Sequence, residues 1–244
     1  NQRNSCFNWY IFNVDSNPDA GSTNPGGEGA GHGTMVAGVV SATTNNFKGS
    51  AGISKAKVMP LQIFSDDGEA YTSDIVAAIE YATDNDADII NLSLGTNFND
   101  PLLLAAIRYA KTNGTLIVAA SGNCALNDEP ICSDLAAPGR MTYPALYDEV
   151  LSVGATTSTD ARASFSSYGP ALDLVAPGQS IGPVPAYTAN GSLTSYVTTS
   201  GTSFSSPLTA GVAALLKSQY PQISPNQTME FLNLSTDKVP GMTN

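Results

Sequence analysis

The chain of 244 residues carries 10 Lys+Arg against 21 Asp+Glu, a formal net charge of −11 at pH 7 with its one histidine neutral. Such acidity excludes the basic footprint of a nucleic-acid binder and makes anionic membranes and polyanions poor partners. Hydrophobic residues make up 42% of the chain, enough for a core, but charged residues only 13%, so the surface must be covered with Ser, Thr, Asn and Gly.

In chain order, the apolar run Trp9–Val14 reads as a strand, and the Gly-, Pro- and Asn-rich stretch Pro18–Gly31 as a loop. Lys57–Phe64 reads as a second strand, weakened by Pro60. Ser73–Asn85 places Ile75, Val76, Ala78, Ile79 and Ala82 at helical spacing, with Ser73 as N-cap. Ala87–Leu94 is a buried-type strand, Pro101–Thr112 a helix with proline in its first turn, and Thr115–Ala120 a fully apolar strand stopped by Ser121-Gly122-Asn123. Shorter strands follow near Val150–Gly154 and Ala171–Val175. Thr202–Gln219 is the last strong helix, and Ser224-Pro225 opens a shorter one. Strands alternating with helices predict an α/β fold: three layers, a mostly parallel sheet with helices on both faces, and sites at the carboxyl ends of the strands. No internal repeat interrupts the pattern, and one domain over residues 1–244 is expected, with both ends truncated.

No apolar run reaches the roughly 18 residues of a membrane span. With no leader at residue 1, the chain is expected to be either cytosolic or a processed, mature form. Cys124 and Cys132 bracket a short polar loop and are either a disulfide formed in an oxidising compartment or two unrelated thiols; Cys6 is left over. The bridge, if formed, favours a secreted protein.

Three segments could carry chemistry. His32, in Gly31-His32-Gly33-Thr34, stands among small residues at the start of an Ala/Gly-rich helix and is the side chain that titrates near neutral pH; it is either a general base or an ordinary loop histidine. Ser203 lies in Ser200-Gly201-Thr202-Ser203 at the head of the last strong helix. There the positive dipole end and free N–H groups favour developing negative charge, although Thr202 or Ser203 could equally be a cap. A nucleophile at Ser203 needs a base, and His32 is the only imidazole available. Asn123, just past the strand ending at Ala120, can aim its amide at an oxyanion or simply make a Gly-Asn turn.

Together these segments resemble the subtilisin-like serine proteases, the subtilases. GHGTMVAG is similar to the family's histidine block, GTSFSSPLTAGVAALL to its serine block, VAASGN to its oxyanion block and ASFSSYGPALDLVAPG to the stretch before the serine; INLSLG is similar to the strand lining the substrate cleft. The resemblance runs from about residue 29 to 233. It implies that Ser203 attacks the scissile carbonyl, His32 carries the proton, and the Ser203 N–H and Asn123 side chain hold the oxyanion. Ser93, Leu94 and Gly95 would pair with an extended substrate, and Ala119, Ala120, Ser121 and Gly122 would wall the pocket for a medium to large apolar residue before the cut.

The acid block departs from the family pattern. The candidate is Asp15 in Val14-Asp15-Ser16, with Asn17 where a glycine would stand; it precedes His32 by 17 residues (32 − 15), well short of the family habit. A loop of that length can still span neighbouring elements. Asp19 is the rival acid, and without either the domain would serve as a binding or scaffolding module. An esterase of the α/β-hydrolase type is disfavoured, since His32 precedes the candidate Ser203, whereas that fold orders the triad Ser, acid, His.

No cofactor is required for this chemistry. Structural calcium, common among subtilases, has a faint candidate in Thr43–Gly49 and another in the cluster Asp128, Glu129 and Asp134. The expected partner is an extended polypeptide substrate, joined by a propeptide or protein inhibitor; nucleic acid and membrane are not expected, and the molecule is expected to be a monomer.

Overall fold

The computed structural model describes residues 8–13, 31–64, 70–126, 130–133, 139–187 and 193–238. Strand β1 (Asn8–Asn13) is followed by α1 (His32–Ser41), β2 (Lys57–Gln62), α2 (Thr72–Asp84), β3 (Ile89–Leu92), α3 (Pro101–Thr112) and β4 (Leu116–Ala120). After the single-turn α4 (Pro130–Ser133) come β5 (Leu151–Thr156), β6 (Leu174–Pro177), β7 (Ile181–Tyr187) and β8 (Leu193–Thr199). The long α5 (Thr202–Gln219) and α6 (Pro225–Ser235) close the series.

Six strands form a sheet in the order β2-β1-β3-β4-β5-β6, every neighbouring pair parallel. Successive residues of a strand point to opposite faces, and here each face meets helices. Ile90, Leu92, Ile117 and Ala119 pack with Ile75, Ile79 and Ala82 of α2 and with Leu103, Ala106, Ile107 and Ala110 of α3. The alternate residues Ile89, Leu116, Val118, Leu151, Val153 and Leu174 meet Ala210, Ala213 and Ala214 of α5 and Leu232 of α6. A third cluster joins Val36, Val39 and Val40 of α1 to Val184 of β7 and Phe204 of α5. This is the expected three-layer α/β architecture. The strands β3, β4 and β5 are buried at every residue, which is why they read as apolar runs rather than alternating ones.

Local chemistry sets most element ends. Asp100 accepts from the Leu102 N–H ahead of Pro101 in α3, and Ser224 with Gln227 forms a reciprocal capping box on α6. One expectation needs correction. Ser73 does not cap α2: the helix begins at Thr72, Tyr71 holds the cap position without a side-chain bond, and Asp74 in the first turn suits the helix dipole. The segment after Gly178 contains an antiparallel hairpin, β7–β8, that the sequence did not announce, because Gly182, Pro183 and Pro185 break any alternation.

Candidate active site

The strand order contains a reversal. From β1 the chain moves outward to β2, then returns to the other side of β1 as β3, so the carboxyl ends of β1 and β3 flank the kind of crevice in which open α/β sheets bind ligands. The loops after β3 and β4 and the first turns of α1 and α5 supply the candidate residues.

His32 opens α1. Gly31 precedes it at φ +86°, a left-handed conformation that costs glycine little and lets the chain turn into the helix. The half-buried imidazole sits edge-on to Phe204, ring centroids 5.7 Å apart at 62°. Its Nδ1 is enclosed and has no hydrogen-bond partner among the described residues. Burial disfavours the charged ring and holds its pKa below the ordinary 6.5. Asp15 and Asp19 lie outside the described residues, as do Cys6, Asp128, Glu129 and Asp134.

Ser203 lies in the first turn of α5, half-buried. The Thr202 N–H donates to Asn123 Oδ1 at 2.9 Å and the Phe204 N–H to the Gly201 carbonyl at 3.1 Å. The Ser203 N–H between them has no acceptor among the described residues. Asn123 Oδ1 also accepts from Thr202 Oγ1 at 3.0 Å, so its two donors fix which end of the amide is oxygen and leave Nδ2 to point elsewhere. Nδ2 and the Ser203 nitrogen share one neighbourhood, lying 3.6 Å and 3.8 Å from the position a Cβ on Gly201 would occupy.

A cavity of about 230 Å³ opens beside these groups. Ser203, Thr202, Asn123, Gly122 and Ala120 line one side, Ser93, Leu94 and Gly95 another, and Phe64, Thr142, Cys124, Ile131 and Cys132 complete it. Gly122 is held at φ +110°, a conformation that strains any residue with a side chain, and Ser167 Oγ and Thr142 Cγ2 lie about 3 Å from where a Cβ would stand. Of the four residues expected to wall the substrate pocket, Ala120 and Gly122 line this cavity, and Ala119 and Ser121 are not in its lining. Both are fully buried: Ala119 packs toward α3, and Ser121 Oγ donates to the Ser167 carbonyl at 3.1 Å. Strand parity explains this, because alternate residues face opposite ways.

Cys124 and Cys132 are joined in a disulfide, Cα atoms 5.3 Å apart, which brings α4 with Ile131 into the cavity wall. Thr142 was not singled out by sequence; its N–H donates to the Ser121 carbonyl at 3.0 Å, next to an antiparallel bridge between Thr96 and Tyr143. Asn91 and Ser206 were also missed; Pro207 signals in the sequence only that the Ser203 carbonyl lacks its helical donor, not which side chain replaces it.

Calcium takes 6–8 oxygen ligands, and any that residues 43–49 supply would be uncharged backbone, Asn and Thr oxygens. That loop has no carboxylate, it carries Lys48, and its Asn46 Oδ1 is taken by the Lys48 N–H at 3.0 Å. Among the described residues no group of three His, Cys, Asp or Glu side chains is gathered as a metal site. Nor is any described helix long and apolar enough to cross a membrane.

The family model described as the subtilase family matches residues 3–244. Subtilisin DY of Bacillus licheniformis is 38% identical over 207 residues, covering 84% of this chain and 70% of that protein. The halolysin-like extracellular serine protease Nep of Natrialba magadii is 36% identical over 91% of this chain, which spans 38% of that protein. A solved structure of proteases from Pseudoalteromonas arctica PAMC 21717 superposes with a TM-score of 0.78 at 26% identity, covering 97% of this chain and 84% of that one. The residue blocks, the parallel three-layer sheet and these relatives agree: the chain belongs to the subtilases, the family of subtilisin-like serine endopeptidases.

Proposed function

We propose that the chain is an extracytoplasmic endopeptidase that cleaves extended polypeptides through an acyl-enzyme formed on Ser203. The observation that carries this reading is that two N–H donors, Ser203 N and Asn123 Nδ2, lie within 4 Å of the position a Cβ on Gly201 would take, in residues that line the cavity. Ser203 Oγ attacks the scissile carbonyl while His32 takes its proton. The carbonyl oxygen becomes an oxyanion held by those two donors, and His32 then passes the proton to the leaving amine. Water repeats the sequence to release the acyl group and restore Ser203.

Asp15 is the proposed acid. It follows the last residue of β1 by two positions in sequence, and the enclosed Nδ1 of His32, without a partner among the described residues, calls for an acceptor that fixes the tautomer. Leu94 and Gly95 lie past the end of β3 beside the cavity and suit backbone pairing with a substrate strand. A propeptide or protein inhibitor would occupy the same groove. The disulfide and the extracellular relative support secretion.

The test is labelling with a fluorophosphonate, read by mass spectrometry. Stoichiometric modification at Ser203 that is lost in His32→Ala supports a working Ser–His pair. An unmodified, folded protein would turn the reading toward a binding module.

A further inference from the structure

Ser203 is held from below as well as flanked. Pro207 follows it by four residues inside α5, and having no N–H it cannot send the helical bond back to the Ser203 carbonyl. Ser93 fills that gap: its Oγ, on the loop after β3, donates to the Ser203 carbonyl at 2.8 Å. Ser93 Oγ itself accepts from Asn91 Nδ2 at 2.9 Å, and Asn91 Oδ1 accepts from Ser206 Oγ at 2.7 Å. Asn91 and Ser206 are fully enclosed and Ser93 is only 4% exposed. The bonds run in one direction, from Ser206 in α5 out to β3 and back to Ser203, so each participating group uses a donor or acceptor it has to offer. In so enclosed a setting these bonds are strong and costly to leave unmade.

We propose that Asn91, Ser93 and Ser206 are positioning residues for the reaction. Through the Ser203 carbonyl they fix the height and rotation of the first turn of α5 over the end of β3. That sets Ser203 Oγ against His32 and the Ser203 N–H against the oxyanion. The proposal rests on reading Ser203 as the nucleophile. A network that merely satisfied buried polar groups would lower stability and leave the chemical step alone, whereas a misplaced nucleophile loses rate with little change in ground-state binding.

The experiment compares the unsubstituted chain with Ser93→Ala, measuring kcat and KM on a chromogenic peptide, the second-order rate of fluorophosphonate modification, and a thermal melt. The expected result is about a 100-fold fall in kcat and in the modification rate, with KM within about threefold. A Ser93→Ala protein that melts lower yet turns over and reacts with the probe at the original rates overturns the proposal. Should Ser93→Ala fail to fold, Ser206→Ala reads the network from its far end. A fall in kcat of about tenfold supports the proposal, and an unchanged kcat overturns it. Failure of the unsubstituted chain to take the probe at Ser203 is a separate result, and it removes the nucleophile assignment itself.

Discussion

Asn123 receives both of its carbonyl hydrogen bonds from one residue, Thr202, whose N–H and Oγ1 lie 2.9 Å and 3.0 Å from Oδ1. Thr202 Oγ1 also accepts from the Gly122 N–H at 3.3 Å, so three bonds join the end of β4 to the start of α5. The orientation of the Asn123 amide is therefore built into the fold before any substrate arrives, the condition under which an oxyanion donor acts without reorganising.

Removing that donor with Asn123→Ala is expected to lower kcat by about 10²–10³-fold with KM nearly unchanged. Thr202→Val keeps the backbone bond but loses the hydroxyl that holds both Asn123 and Gly122, and is expected to cost about tenfold in kcat. Steady-state kinetics on one peptide substrate measures both. A Thr202→Val enzyme with an undiminished kcat would show that the lock is dispensable.

The chain has a single histidine, so its imidazole resonances in an NMR titration need no assignment. In Asp15→Asn, burial acts on His32 without the proposed carboxylate, and the midpoint should fall below pH 6.5. In the unsubstituted chain a carboxylate at Nδ1 stabilises the imidazolium, so its midpoint should lie above that of the variant. The sign for stability follows in the variant: a folded-state value below the unfolded one means stability is full above pH 6.5 and is lost as pH falls through the folded value. Identical midpoints in the two proteins would remove Asp15 as the partner. With the wrong tautomer favoured, kcat in Asp15→Asn should drop about 10⁴-fold.

The Cys124–Cys132 bridge closes a short loop, a sequence separation of 8, directly after Asn123, the proposed oxyanion donor. Cys124→Ser with Cys132→Ser is expected to destabilise the protein by about 2–3 kcal/mol through the freed unfolded chain. Because Ile131 and both cysteines line the cavity, KM for substrates with a large apolar residue before the cut should rise as well. Denaturant unfolding and steady-state kinetics check the two effects separately. An unchanged KM would show that α4 does not touch the substrate.

Elements whose periodicity matched their burial were legible in the sequence. Thr202–Gln219 is a helix over the expected span, and β4 lies within the expected Thr115–Ala120, because α5 and the buried strands carry their apolar residues where the sheet needs them. His32, Ser203 and Asn123 stood out because each sits at a chain punctuation point, a glycine turn or a helix start. What failed was parity and distance. Whether Ala119 or Ala120 faces the cavity depends on a register that only the assembled sheet supplies. Thr142 and Ile131 reach the wall through loops, and Ser206 finds Asn91 across a separation of 115 residues. Composition offers no trace of such pairings, and the hairpin β7–β8 is hidden by its own prolines.

Each outer margin of the six-stranded sheet bears a proline, Pro60 within β2 and Pro177 at the end of β6. A proline offers no amide hydrogen, so along each margin the row of donors that a neighbouring molecule would need for strand exchange is broken or cut short. The consequence is colloidal: neither described margin of the six-stranded sheet offers crowded copies of this chain a full row of donors on which to grow an intermolecular sheet, and the net charge of −11 adds mutual repulsion.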